Sequence, residues 1–174
     1  MRVVGLDLGE KRVGVALSDS SGTLALPHTV IERTGDPARD HAEIGRIVAE
    51  VGASVVVVGL PLSLDGSAGP AARAASAEAE AISAALGVEV QTHDERLTTV
   101  SAGRSLSTAG LPARARRTAR RRSVDKVAAA VMLQSWLDGP GEAAVAHRAT
   151  QARERNAGDQ PGRTATESSE NGLG

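Results

Sequence analysis

The sequence predicts an α/β fold in which a mixed five-stranded sheet carries helices on both faces. Three observations predict it. Residues 2–32 alternate apolar and polar positions with period two, broken by turn residues into three segments. After residue 36, helical periodicity alternates with short β-branched runs. Glycine or proline marks most of the boundaries between these segments.

Residues 2–8 read as a strand, with Val4, Leu6 and Leu8 on one face and Val3, Gly5 and Asp7 on the other. Gly9 to Lys11 turn the chain. Over residues 12–18, Val13, Val15 and Leu17 alternate against Arg12, Gly14, Ala16 and Ser18. A third strand near Thr23–Glu32 completes an antiparallel meander. Asp36-Pro37 starts a helix, with Asp as N-cap and Pro in the first helical position. Ile44, Ile47, Val48 and Val51 keep the helical period, and Gly52 closes it. Val55–Val58 is continuously apolar, as suits a strand covered on both faces. Gly59–Gly66 is a loop. Pro70 opens an Ala-rich helix, with Ala75, Ala79, Ile82 and Leu86 on one face, that ends at Gly87. Val88–Thr92 is the fifth strand, followed by His93-Asp94-Glu95-Arg96. Thr98 caps a helix ending at Gly110, Leu111–Ser123 is a basic connector, and Ser123 caps a last helix through Leu137.

One domain over residues 1–138 accounts for these elements. Residues 139–174 are rich in Gly, Ala, Ser, Thr, Arg and Glu. Apart from Ala143–Ala149 they show no apolar periodicity, so they read as a disordered tail. No apolar run reaches the roughly 20 residues that span a bilayer. The N-terminus lacks the pattern of a signal peptide, so the chain is expected in the cytoplasm, away from membranes.

Composition narrows the chemistry. With no cysteine, zinc–thiolate sites, iron–sulfur clusters and thiol nucleophiles are excluded. Any metal must be held by oxygen or imidazole, which favours Mg²⁺ or Mn²⁺ on carboxylates. One Trp and no Phe or Tyr leave no aromatic platform for stacking bases. The net charge is −1, but positive charge concentrates at Arg114, Arg116, Arg117, Arg120, Arg121 and Arg122.

Three acidic positions stand out. Asp7 lies among strand apolars, where a carboxylate is costly unless it is paired or binds a metal. Its position alone fits a turn-capping Asp equally well. Glu95, with Asp94 as a possible substitute, stands at the carboxyl end of a strand, where α/β sheets bind ligands. Alone it reads as a solvated loop charge. Asp125 falls in the first turn of the last, largely apolar helix, and alone it reads as an Asp favoured by the helix dipole. If the fold brings the three together, their charge draws in one or two divalent cations suited to phosphodiester hydrolysis.

Four segments carry a family resemblance. They are Gly5–Gly9 with Lys11–Asp19, Val58–Leu62 with Asp65-Gly66, His93–Thr99, and Val124-Asp125 with Ala128-Ala129. Together, and in order over residues 1–138, they resemble the YqgF/RuvX family of pre-16S ribosomal RNA nucleases, formerly called Holliday junction resolvases. The resemblance implies a ribonuclease H-like fold and a nuclease maturing the 5′ end of 16S ribosomal RNA. It also implies Asp7, Glu95 and Asp125 as catalytic, metal-binding carboxylates. The expected partners are pre-16S rRNA and ribosomal subunit precursors, with DNA junctions as the alternative substrate and a monomer or homodimer as the assembly. A non-catalytic ribosome-assembly module is the other alternative. Actin- and sugar-kinase-type nucleotide binding needs two such domains, and the chain is too short for them.

The six arginines of the connector read as a phosphate-binding arm, against the plainer reading of a solvated loop. Lys11 and Arg96 are further phosphate-contact candidates. Arg12 is divided between that role and an ordinary strand surface. Glu10 is expected to face solvent. His28, His41 and His147 are expected at the surface, while His93 is close enough to the acidic residues for acid–base or phosphate contact.

Overall fold

In a computed structural model, residues 1–63, 65–94, 113–139 and 141 are described, with the backbone alone over 113–123. The strands are β1 (Arg2–Leu8), β2 (Arg12–Ser18), β3 (Ala25–Glu32), β4 (Ala53–Leu60) and β5 (Glu89–Asp94). The helices are α1 (Pro37–Val51), α2 (Pro70–Leu86) and α3 (Ala113–Leu137). The sheet order is β3-β2-β1-β4-β5. β2 runs antiparallel to both its neighbours, whereas β1, β4 and β5 are mutually parallel. This is a mixed five-stranded sheet, as the sequence predicts.

The local chemistry explains the helix ends. The Asp36 carboxylate accepts a hydrogen bond from the Ala38 N–H at 3.0 Å, satisfying an otherwise orphaned donor. Gly52 closes α1 in the left-handed region at φ 62°, which a side chain would strain.

The alternation in β1 sorts its residues between two cores. Val4 and Leu6 join Val13, Val15, Val56 and Val58 beneath α1 and α2. Val3 joins Ala16, Val55 and Val57 on the opposite face, against Ala129, Met132, Leu133 and Trp136 of α3. Helices therefore cover both faces, as expected. Val55–Val58 are fully buried because β4 is an interior strand covered on both faces.

Several boundaries differ from the sequence reading. β3 starts at Ala25, after a turn at Gly22 with φ 73°. β5 runs on through His93 and Asp94, placing both inside the strand. The largest difference is α3. Residues 113–123 are helical, so the basic connector from Ala113 onward is the first half of a 25-residue helix and Ser123 is not its N-cap. Alanine and arginine are good helix formers, and no glycine or proline interrupts them. The C-terminal half of α3 buries one stripe only, leaving Val124 58% exposed. The expected helix at Thr98–Gly110 and the tail from residue 142 lie outside the described residues.

Candidate nuclease site

The site grows from the face of the sheet beneath α3. Two glycines let that helix approach closely. A Cβ on Gly5 would meet Leu133 Cβ at 2.8 Å, and one on Gly14 would collide with the Asp125 carbonyl oxygen. Gly14 is the cross-strand partner of Asp7. The α3 backbone at Asp125 thus lies directly over the residue beside Asp7.

Asp7 is half-buried, and its pKa is raised, first by burial and then by the charge of Asp125. The acidic group on α3 is therefore close enough to that on β1 to disfavour its ionised form, in a partly dry setting. Asp125 sits in the middle of α3, not in its first turn, so a helix-dipole role is removed. Its Oδ2 is buried and has no hydrogen-bond partner among the described residues. Arg12 Nε approaches that oxygen at 3.0 Å as an ion pair, without the alignment of a hydrogen bond. A carboxylate oxygen that carries no hydrogen bond, beside a second, partly desolvated carboxyl, suits a hard divalent cation.

A row of residues crosses the sheet at this level. Leu6 pairs with Val58, so Asp7 comes alongside Gly59, which pairs with His93. His93 is buried, and its Nε2 lies 3.1 Å from Ser135 Oγ of α3. Burial lowers the His93 pKa, against a smaller raising effect of Asp94. The imidazole therefore favours its neutral form and ties the end of β5 to α3. Glu95 follows Asp94 in the chain, but Glu95 and Arg96 lie outside the described residues. Among the described residues no cluster of three or more potential ligands assembles.

The turn after Asp7 is held from the other face. Gly9 N–H donates to the Arg12 carbonyl, Arg33 Nε to the Gly9 carbonyl and Arg33 N–H to the Lys11 carbonyl, each at 2.9 Å. Arg33 forks onto Glu78 of α2 at 2.6 and 2.9 Å. Asp40 takes the Thr34 N–H at 3.0 Å, which helps hold its carboxyl below the usual range. His41, expected at the surface, is buried in this cluster, with Nε2 3.6 Å from Glu78. It lies next to Asp40, on the face that α1 turns inward. Lys11 and Glu10 are exposed on the turn. Arg114, Arg116, Arg117, Arg120, Arg121 and Arg122 all precede Asp125 on the same helix.

Sequence reasoning missed the contact of Arg12 with Asp125 and the grip of Arg33 on the turn. The signal for the first was present. Gly5, Gly14 and Ala16 form a small-residue patch on one sheet face, which invites a close helix. Arg33 carried no such signal, because its partners come from three separate elements.

A family model described as RuvX, Holliday junction resolvase, matches residues 1–139. A relative from Myxococcus xanthus (strain DK1622) named "Putative pre-16S rRNA nuclease" is 46% identical over 138 residues, covering 79% of this chain and 88% of its own. One of the same name from Pelotomaculum thermopropionicum is 45% identical over 141 residues, covering 81% and 89%. Among solved structures, the chain is similar to T. thermophilus RuvC in complex with Holliday junction substrate. That match has 15% identity and a TM-score of 0.46, covering 79% of this chain and 93% of the other. The family match and the identity over four-fifths of the sequence agree with the motifs around Asp7 and Asp125: the chain belongs to the RuvX family of nucleases.

Proposed function

We propose that this nuclease is metal-dependent and trims the 5′ end of the 16S ribosomal RNA precursor. One observation carries the site assignment. Asp7 and Asp125, far apart in sequence, come together across Gly14, and the charge of Asp125 adds to burial in raising the Asp7 pKa. That arrangement is unfavourable unless a cation compensates it. Asp7, Glu95 and Asp125 are the residues that would hold Mg²⁺ or Mn²⁺, one ion or two. A divalent cation supplies charge to the scissile phosphate, acidifies the attacking water and stabilises the leaving oxygen. The remaining work falls to the chain. The Arg33 grip fixes the turn that follows Asp7, the His93–Ser135 contact fixes the end of β5, and α3 holds Asp125 against the sheet.

Residues 1–138 form the catalytic domain on this reading, in line with the family match to residue 139. The arginines of α3, with Lys11 and Arg96, contact phosphates. The relatives' name favours an RNA substrate within ribosomal subunit precursors, and hence work in the cytoplasm. No helix among the described residues is long and apolar enough to cross a membrane. The description of the family model supports a second reading, cleavage of four-way DNA junctions.

One assay separates them. A 16S precursor and a four-way DNA junction are incubated with the protein and Mg²⁺ or Mn²⁺, beside Asp7→Asn and Asp125→Asn. The expected result is metal-dependent shortening of the precursor's 5′ end, lost in both variants by roughly a hundredfold or more. Symmetric junction cleavage with an intact precursor would favour the second reading. Equal activity in wild type and both variants would sink the site.

A further inference from the structure

We infer that Arg12 is the resident counter-ion of the acidic pair, and that it leaves Asp125 for a phosphate of the nucleic-acid strand when a divalent cation enters. This rests on the metal-site reading above.

The geometry of the contact separates Arg12 from Arg33, the other partly buried arginine of the site. Arg33 makes a two-pronged hydrogen-bonded fork to Glu78 and a further bond to the Gly9 carbonyl. That is a locked guanidinium. Arg12 approaches Asp125 Oδ2 at 3.0 Å through Nε, yet that oxygen has no hydrogen-bond partner among the described residues. The attraction is charge without a directed bond, so exchange sacrifices little. Both side chains also reach the surface, at 21% and 29% exposure, so the guanidinium can swing outward without crossing the core.

Charge makes the exchange necessary. The oxygen that Arg12 approaches belongs to the carboxylate assigned to the metal. A guanidinium and a divalent cation on one carboxylate repel each other at short range. Arg12 is the first residue of β2, next to the exposed Lys11, with Glu32 directly across on β3. Released from Asp125, its fork lies beside Lys11 at the edge where β1 ends. A guanidinium there suits a phosphate oxygen better than an ammonium does, because it can bind with two parallel hydrogen bonds. Arg12 would therefore screen the carboxylates in the metal-free state and contact substrate in the loaded state.

The test is calorimetric titration of the full chain with Mn²⁺, without nucleic acid, on wild type, Arg12→Gln, Arg12→Lys, Asp7→Asn and Asp125→Asn. Arg12→Gln should bind Mn²⁺ roughly fivefold more tightly, since the competing charge is gone. Arg12→Lys, which keeps the charge, should stay near wild type. Binding of the precursor's 5′ leader RNA in Ca²⁺ should move oppositely. Arg12→Gln should bind RNA more weakly, with a salt slope shallower by about one. A merely structural role would weaken metal and RNA binding together. Unchanged or weaker Mn²⁺ binding in Arg12→Gln, with both Asp variants failing to bind, overturns the role of Arg12 and leaves the metal site standing. Undiminished Mn²⁺ binding in both Asp variants overturns the metal site itself.

Discussion

At the scale of single residues, Asp7 shows what a partly buried carboxylate costs its fold. Burial and the Asp125 charge raise its pKa, so the folded state binds its proton more tightly than the unfolded state does. The resulting penalty is fully present above the raised folded value and fades as pH falls through it. Asp7→Asn removes the penalty. In chelator at neutral pH the variant should melt at a higher temperature than wild type, and the gap should close as the solution is made acidic. A variant that melts no higher at neutral pH would show that the carboxyl is accommodated without cost. The face on which Asp7 lies was legible from simple alternation in β1. Its partner was not, because no local pattern connects residue 7 to residue 125; only the ordered motifs of the family did so. Arg12 was left undecided between surface and site because its partner is a helix distant in sequence.

At the scale of elements, the packing of α3 on β1 and β2 decides whether the site exists. Gly14 has no room for a side chain beneath Asp125. Gly14→Ala should push the helix outward and destabilise the fold by about 1–3 kcal/mol, the usual cost of overpacking. Its cleavage rate should fall further than the lost stability explains, because the displaced backbone is the one that carries Asp125. Denaturant unfolding beside single-turnover cleavage measures both, and a variant with normal cleavage would refute the close-approach account. Most elements were readable from the sequence, since caps such as Asp36 and Gly52 and the alternation of β1 and β2 act locally. The first half of α3 was not. A dense run of arginines resembles a solvated loop when judged by charge, whereas its alanines and arginines favour helix when judged by backbone propensity. Propensity prevailed.

At the scale of the whole molecule, a net charge of −1 means that attraction to nucleic acid must be regional. The six arginines ahead of Asp125 supply such a region. If all six neutralise phosphates, the logarithm of affinity should fall with the logarithm of salt with a slope of about −4 on single strands and about −5 on duplex. Replacing them by glutamine should flatten that slope, as read by filter binding across a salt series. An unaltered slope would remove the arm from recognition. The fold class and the two helical layers followed from pattern alone, because layer architecture is set by periodicity. The meeting of β1, β2 and α3 at one point followed from tertiary packing that no window of sequence contains.

If the arginines of α3 grip the substrate, the continuity of that helix would make it a ruler. A straight helix advances 1.5 Å per residue, so Arg114 and Asp125 stand about 16 Å apart along its axis. A strand gripped at the far end would be measured off in nucleotides before it reaches the carboxylates. Adding one residue between Ser123 and Val124 would lengthen the ruler by only about 1.5 Å but turn its markings by about 100°. Adding four would nearly restore their direction. Mapped cleavage should therefore suffer more from the shorter insertion than from the longer one.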